Sequence, residues 1–328
     1  MIRFSVIIPV KPGGYVRALE RLRLANYPAD SLEILVAEGR NPSRQRNQAA
    51  AEAVGDVLYF LDDDSLAGAD FLSIAAQHYD DSQVAVVGGP SLTPDSDTLL
   101  QHAFGMVFVS RFGGGGVRNR YRWHGGVRAT GEHELILCNL SFRRELFHEI
   151  GGFDERLYPN EENELMDRIA SSGRLLIHNP ELAVERSQRR TVRAFARQLF
   201  GYGRGRAEQT IISGRIKAVA FAPPFFVLYL AALPWCRDSR YWAPLALYLL
   251  LAGLFAVREG LRKRMFRAAS LLPALFILFH CAYGVGMIRG FLLYPFRKRE
   301  PVRHEVTIRW VKRFGEATTQ VASPPPFP

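Results

Sequence analysis

The chain has 328 residues, with 42 Lys and Arg against 32 Asp and Glu, a net charge of +10 and 48% hydrophobic residues. That length allows one large α/β domain and something more, and three cysteines without metal-type spacing exclude a disulfide framework and point to a reducing compartment. The positive charge collects beside apolar blocks in the second half, so a membrane surface, and no nucleic acid, is the expected partner.

The opening Met1-Ile-Arg-Phe runs straight into a strand pattern rather than a cleavable signal peptide, which keeps the soluble part in the cytosol. Residues 4–10 (FSVIIPV) are a fully apolar strand stopped by Pro12-Gly13-Gly14. Residues 15–25 have helical periodicity, with Val16, Leu19 and Leu22 on one face. A second strand covers 32–37, and a polar loop follows over 38–43. A helix over 44–54 stops at Gly55, and the next strand covers 57–61. Strand, helix, strand, helix, strand with near-continuous apolar strands predicts a mostly parallel, Rossmann-like α/β sheet with helices on both faces. Ligands of such sheets bind at the carboxyl ends of the strands, which here carry Lys11, Glu38 and Asp62-Asp63-Asp64.

Alternate residues of a strand point the same way, so Asp62 and Asp64 can reach one site while Asp63 faces elsewhere. Three clustered carboxylates repel each other, and a bound Mg²⁺ or Mn²⁺ would turn that cost into ligation. A solvated acidic turn capping the next helix is the bland alternative.

Further on, 71–79 reads as a helix and 84–89 as a strand. The four glycines 113–116, flanked by Arg111, Arg118 and Arg120, read as a mobile loop or lid. A strand over 135–142 and a short helix over 144–150 follow, with acids at the head of a helix over 162–170. A basic amphipathic helix over 192–202 can lie in a membrane interface or pack on the catalytic domain. Three apolar blocks then follow, 218–236, 242–257 and 270–295, near bilayer-crossing length. The domain at the amino end, the basic loop 258–267 and the tail from Arg297 all ask for the cytoplasmic side. Three full crossings cannot satisfy that, so either 270–295 is re-entrant or the block holding Pro223-Pro224 lies in the interface.

FSVIIPV, Arg46-Asn47 before AAAEAVGD, VLYFLDDDS and CNLSFRRELFHEIGGFDERLYPNEENELMDRI, in this order and spacing, resemble family 2 glycosyltransferases over about the first 210 residues. QLFGYGRGRA before the apolar blocks is similar to the membrane-anchored bacterial exopolysaccharide subgroup. The resemblance implies a GT-A fold at 1–210, followed by membrane segments within 211–296 and a basic, partly disordered tail at 297–328. It also implies a nucleotide-diphosphate sugar donor, Mg²⁺ or Mn²⁺, and inversion at the anomeric carbon. Carried over by position, Asp62 contacts the donor ribose or the metal, and Asp64 the metal at the diphosphate. Glu38 stands near the nucleotide base, where the family usually has an aspartate in a serine-rich turn that this chain lacks. Arg46 and Arg44 face the diphosphate from their helix, with a solvated helix face as the alternative for Arg44. Asn139 faces the donor sugar, unless it is a buried strand asparagine, and Arg190 is a further diphosphate contact. The family's Gln-x-x-Arg-Trp element is absent, which argues against a processive cellulose-synthase-like enzyme.

An acidic pair supplies the family's general base. Here it aligns with Glu161-Glu162, with Glu162 the base and Glu161 second; acids in a first helical turn also simply complement the helix dipole. The expected function is sugar transfer to a lipid-linked or growing glycan acceptor at the cytoplasmic face of the cell membrane, by a multi-pass protein among membrane lipids. A polyprenyl-phosphate sugar transferase would need no base and would tolerate Glu162→Gln. A phosphohydrolase is suggested by the aspartates alone, but they come after two earlier strand–helix units. A non-catalytic membrane scaffold would leave cellular glycan indifferent to Asp64→Ala.

Overall fold

The computed structural model describes residues 1–296 and 305–316. In chain order the elements are β1 (Phe4–Val10), α1 (Ala18–Leu22), β2 (Leu32–Glu38), α2 (Pro42–Glu52), β3 (Val57–Leu61), β4 (Leu66–Ala67), α3 (Phe71–Ala76), β5 (Val84–Gly88), β6 (Ser91–Leu92) and α4 (Leu99–Val109). There follow β7 (Arg128–Thr130), β8 (Asn139–Arg143), α5 (Arg144–Glu149), α6 (Glu161–Ser171), β9 (Leu175–His178), β10 (Val184–Glu185) and α7 (Val192–Ser213). The last are α8 (Ala222–Ala232), α9 (Ala243–Lys263), α10 (Phe266–Ala269), α11 (Leu272–Leu293) and β11 (Thr307–Lys312). They make two compact units: Met1–Leu92 with Arg122–Arg186 and 305–316, and Thr93–Tyr121 with 187–296.

The first unit is an α/β layer structure. Its sheet runs β11-β2-β1-β3-β8-β5-β9-β7. The β2-β1-β3 ladder is parallel, with Val10 opposite Glu38 and Phe4 opposite Val57. Both faces of β1 are covered, which explains its unbroken apolar run. Phe4, Val6 and Ile8 join Tyr59, Leu61 and Phe71 on one face. Ile7 joins Leu35, Phe60, Phe142 and Phe153 on the other. Each large apolar side chain so buried contributes roughly 1.5–3 kcal/mol. The sheet is more mixed than the strand–helix alternation suggests. β8 starts at Asn139, opposite the end of β3 at Leu61, so it must run antiparallel to β3. β7 and β11 are antiparallel at the two edges. A small second sheet, β4-β10-β6, lies near the end of β3.

The second unit is helical. Phe104 of α4 stacks on Phe195 of α7 at 4.1 Å, and Phe276 of α11 joins the same core. Three of its segments, Ala218–Trp235, Ser239–Lys263 and Leu272–Leu293, are long and apolar enough to cross a membrane.

Several boundaries differ from the sequence reading. The helix read over 192–202 continues to Ser213 and, with α4, belongs to the helical unit, so the units do not divide at 210. The glycine run is no open lid. A Cβ on Gly113 would sit 2.3 Å from the Val107 carbonyl oxygen, and one on Gly114 1.8 Å from that of Phe108. These glycines are there so that the chain can fold back tightly on α4. Within the tail, Thr307–Lys312 is an edge strand; the character expected for 297–304 and 317–328 concerns residues outside the described ones.

Candidate functional site

The site is built at the carboxyl ends of β1, β2 and β3. Three connections fix the start of α2 against the segment before α6. Ser43 Oγ donates to the Leu157 carbonyl at 2.8 Å, Asn47 Nδ2 to that of Phe153 at 2.8 Å, and Phe153 N returns a bond to Asn47 Oδ1. Arg168 holds the other side, donating to the carbonyls of Ile150 and Gly152 and pairing with Glu164. Glu164 therefore acts within the fold. These bonds bring the first turn of α6 beside α2, where Arg46 meets Glu161.

Arg46 is buried, 4% exposed, and spans two carboxylates. Its Nη1 lies 3.0 Å from Glu161 Oε1 and its Nη2 2.9 Å from Asp62 Oδ1. Arg186, the residue after β10, continues the series. Its Nη2 lies 3.0 Å from Asp62 Oδ2 and its Nε 2.6 Å from Asp64 Oδ1. The result is one continuous row in which carboxyl and guanidinium groups alternate: Glu161, Arg46, Asp62, Arg186, Asp64. Arg186 is placed by β10, whose Val184 pairs with Ala67 of β4 and Ser91 of β6, and by its own N–H on the Leu92 carbonyl.

The carboxylates differ in environment. Burial, then Asp64 and Asp62, push Asp63 up to about 6. Burial and the neighbouring Glu162 push Glu161 up to about 8, against the pull of Arg46. Glu161 is 2% exposed and its Oε2 has no hydrogen-bond partner. Glu162, next to it, is half-buried.

The cation question turns on donor chemistry. Asp62 and Asp64 offer hard oxygens that converge closely enough for one guanidinium to hold both. Among the described residues no three His, Cys, Asp or Glu close a metal cage. An open two-carboxylate edge fits Mg²⁺ or Mn²⁺, which keep waters and take substrate phosphates as ligands. Asp64, its side chain 40% exposed, is the more accessible of the two.

The remaining expectations divide. Glu38, at the end of β2, is exposed and accepts from Gly13 N at 3.1 Å. Arg44 N is capped by Asn41 Oδ1 at the start of α2. Asn139 is fully buried: its Oδ1 accepts from the Tyr59 hydroxyl at 2.7 Å and its Nδ2 donates to the Leu182 carbonyl, as the buried-asparagine alternative has it. With both ends of its amide engaged, it joins β3, β8 and the segment before β10. Arg190 is exposed and belongs to the helical unit. Arg186 was not singled out as a site residue. In sequence it is one more arginine in a basic stretch, and only the non-local pairing of two-residue β10 reveals its place.

Residues 24–151 match Glycosyl transferase family 2. The succinoglycan biosynthesis protein ExoA of Rhizobium meliloti is 26% identical over 266 residues, covering 70% of this chain and 78% of that protein. A glucosyl-dolichyl phosphate glucuronosyltransferase of Haloferax volcanii is 29% identical over 124 residues, 36% of each chain. Among solved structures, the mannosyltransferase PcManGT from Pyrobaculum calidifontis, in complex with GDP-Man and Mn²⁺, aligns over 88% of this chain and 87% of its own with a TM-score of 0.58. At 16% identity that likeness is one of fold.

Proposed function

We propose that this chain, whose residues 24–151 match Glycosyl transferase family 2, is a glycosyltransferase that moves a sugar, with inversion, from a nucleotide-diphosphate donor to a lipid-linked or growing glycan acceptor at the cytoplasmic face of the cell membrane. The observation that carries this reading is the row of carboxyl and guanidinium groups from Glu161 to Asp64. The row ends at Glu161, the sequence neighbour of the half-buried Glu162, and at Asp64, whose side chain is 40% exposed.

In this reading the donor diphosphate lies over the carboxyl ends of the strands, with Glu38 bordering the nucleotide. Asp64, backed by Asp62, holds the divalent cation, which when bound neutralises charge on the leaving diphosphate. Glu162 accepts the proton of the acceptor hydroxyl as its oxygen bonds to the anomeric carbon on the face opposite the diphosphate. The bond from that carbon to the diphosphate oxygen breaks, and nucleoside diphosphate leaves with the electron pair. Arg46 serves as a positioning residue: it fixes the base-bearing turn relative to Asp62 and keeps Glu161 from acting as a second base.

A lipid-linked acceptor is supported by the three apolar helices and by the relatives, one named for succinoglycan biosynthesis and one for a dolichyl-phosphate-linked sugar. The test is transfer of radiolabelled sugar from nucleotide donors into the organic-extractable fraction of membranes carrying the full chain. Labelled lipid that disappears with Glu162→Gln supports the reading. Label that persists at the wild-type rate in Glu162→Gln points to an acceptor that needs no base, as a lipid phosphate would be.

A further inference from the structure

We infer that α11 does not cross the bilayer: the helical unit dips into the membrane as an α8–α9 hairpin, and α11 stays at the interface on the side from which the hairpin entered. The inference rests on the membrane-anchored reading above and decides the topology within it.

The first observation is how the chain is connected. β11 is an edge strand of the main sheet, antiparallel to β2, with Thr307 opposite Glu38 and Trp310 opposite Leu35. Ile308 and Trp310 pack against the core beneath, Val311 is buried, and Lys312 Nζ donates to the carbonyls of Ala29 and Leu32 at 2.7 and 2.9 Å. The segment that leaves this unit after Arg186 therefore returns to the same folded sheet. A folded sheet occupies one side of a membrane, so the crossings between its two parts are even in number. The connection from Phe296 to Glu305 cannot add one. Its eight residues, Arg-Lys-Arg-Glu-Pro-Val-Arg-His, carry four Lys and Arg and reach under ~30 Å even when extended. Three apolar helices are one too many.

The second observation selects the helix. α11 is locked onto α7 at backbone distance. A Cβ on Gly203 of α7 would sit 1.9 Å from the Tyr283 carbonyl oxygen, and one on Gly286 of α11 2.1 Å from that of Phe200. One on Gly290 would sit 2.6 Å from Ala207 Cβ. α7 carries Arg193, Arg197, Arg204 and Arg206 along its length, and a charged side chain at the centre of a bilayer is strongly disfavoured. A helix bound this closely to α7 shares its depth. α11 itself holds Arg289, which lies 5.8 Å from the Phe200 ring of α7, and at its other end Phe279 meets Phe108 of α4. α11 also meets the hairpin, where a Cβ on Gly284 would sit 2.5 Å from the Pro223 carbonyl oxygen at the start of α8 and Tyr248 Oη of α9 lies 2.8 Å from His280 Nδ1, so the hairpin enters beside it.

α8 and α9 have the opposite character. Phe225, Leu228, Leu250, Leu254 and Val257 are each more than half exposed, as suits contact with acyl chains. Tyr229 Oη donates to the Tyr241 carbonyl and accepts from Leu245 N, tying the two helices at their turn. Arg215 and Lys217 precede the hairpin, and Arg258, Arg262, Lys263 and Arg264 end it, so its basic ends lie together.

The test is sidedness of the two ends of α11. Single-cysteine variants Arg264→Cys and Tyr294→Cys, in a chain with Cys138, Cys236 and Cys281 replaced by Ser, are labelled with a membrane-impermeant maleimide in sealed right-side-out and inside-out vesicles. Labelling of both from the same side is expected; labelling from opposite sides would overturn the inference. Trypsin on the unaltered chain in the same vesicles guards against a misfolded variant. Cleavage at Arg264–Arg267 and at Arg297–Arg299 from one side supports the arrangement, and from opposite sides refutes it. Release of the whole chain by alkaline carbonate would instead overturn membrane anchorage itself.

Discussion

Arg186 Nε lies 2.6 Å from Asp64 Oδ1, so the carboxylate best placed to receive a cation is already held by one. The same guanidinium reaches Asp62 at 3.0 Å. Removing it leaves two carboxylates converging without counter-charge, which favours a divalent ion. Arg186→Gln is therefore expected to bind Mn²⁺ about tenfold more tightly than wild type in the absence of nucleotide, read by electron paramagnetic resonance titration. Equal affinity would show that Arg186 does not compete for that position.

Arg46 is nearly inaccessible and joins Asp62 to Glu161. Truncating one member of a buried ion pair leaves its partner, here Asp62, unpaired, at a cost of about 3–5 kcal/mol. Arg46→Met should lower the urea midpoint of the detergent-purified chain accordingly. Arg46→Lys should recover only part of the loss, because an ammonium cannot span both carboxylates with a planar fork.

Glu161 gives a pH dependence with a defined sign. Its carboxyl is raised from 4.5 to about 8 in the fold, so the folded state holds a proton that the unfolded chain releases. This contribution to stability is full below pH 4.5 and is lost as pH rises toward 8. Glu161→Gln, which cannot ionise, should remove that loss. Its stability relative to wild type is expected to rise between pH 6 and pH 9, measured by chemical unfolding at both. A constant difference would mean that Glu161 is ionised throughout.

The α7–α11 contact admits no side chain at Gly203 or Gly286. Gly203→Ala should cost about 1–3 kcal/mol by overpacking and lower the thermal midpoint. Gly201→Ala, on the same helix with open space around its Cα, should be neutral or slightly stabilising.

Much of the first unit was legible because its strands announce themselves. FSVIIPV and VLYFL are buried on both faces, and burial on both faces is what an unbroken apolar run encodes. The acids followed from their place at strand ends. Asn139 stayed open in the sequence because a buried strand asparagine and a sugar-facing one read alike; its bonds to Tyr59 and the Leu182 carbonyl favour the buried one. Arg186 and β11 were hidden for a common reason. Each owes its position to pairing across more than a hundred residues, and each lies in a basic stretch whose composition suggests only a membrane surface. The glycines at 113–116 looked mobile because a tight packed return on a helix and a flexible loop use the same residue.

The central claim is donor chemistry at the Asp62–Asp64 edge, and the direct measurement is release of nucleoside diphosphate by the detergent-purified full chain. A panel of UDP-, GDP- and dTDP-sugars is offered with Mn²⁺, Mg²⁺ or EDTA. The account predicts release from one donor, abolished by EDTA and by Asp64→Ala. No release from any donor, with calorimetry showing no metal-dependent nucleotide binding, would contradict it.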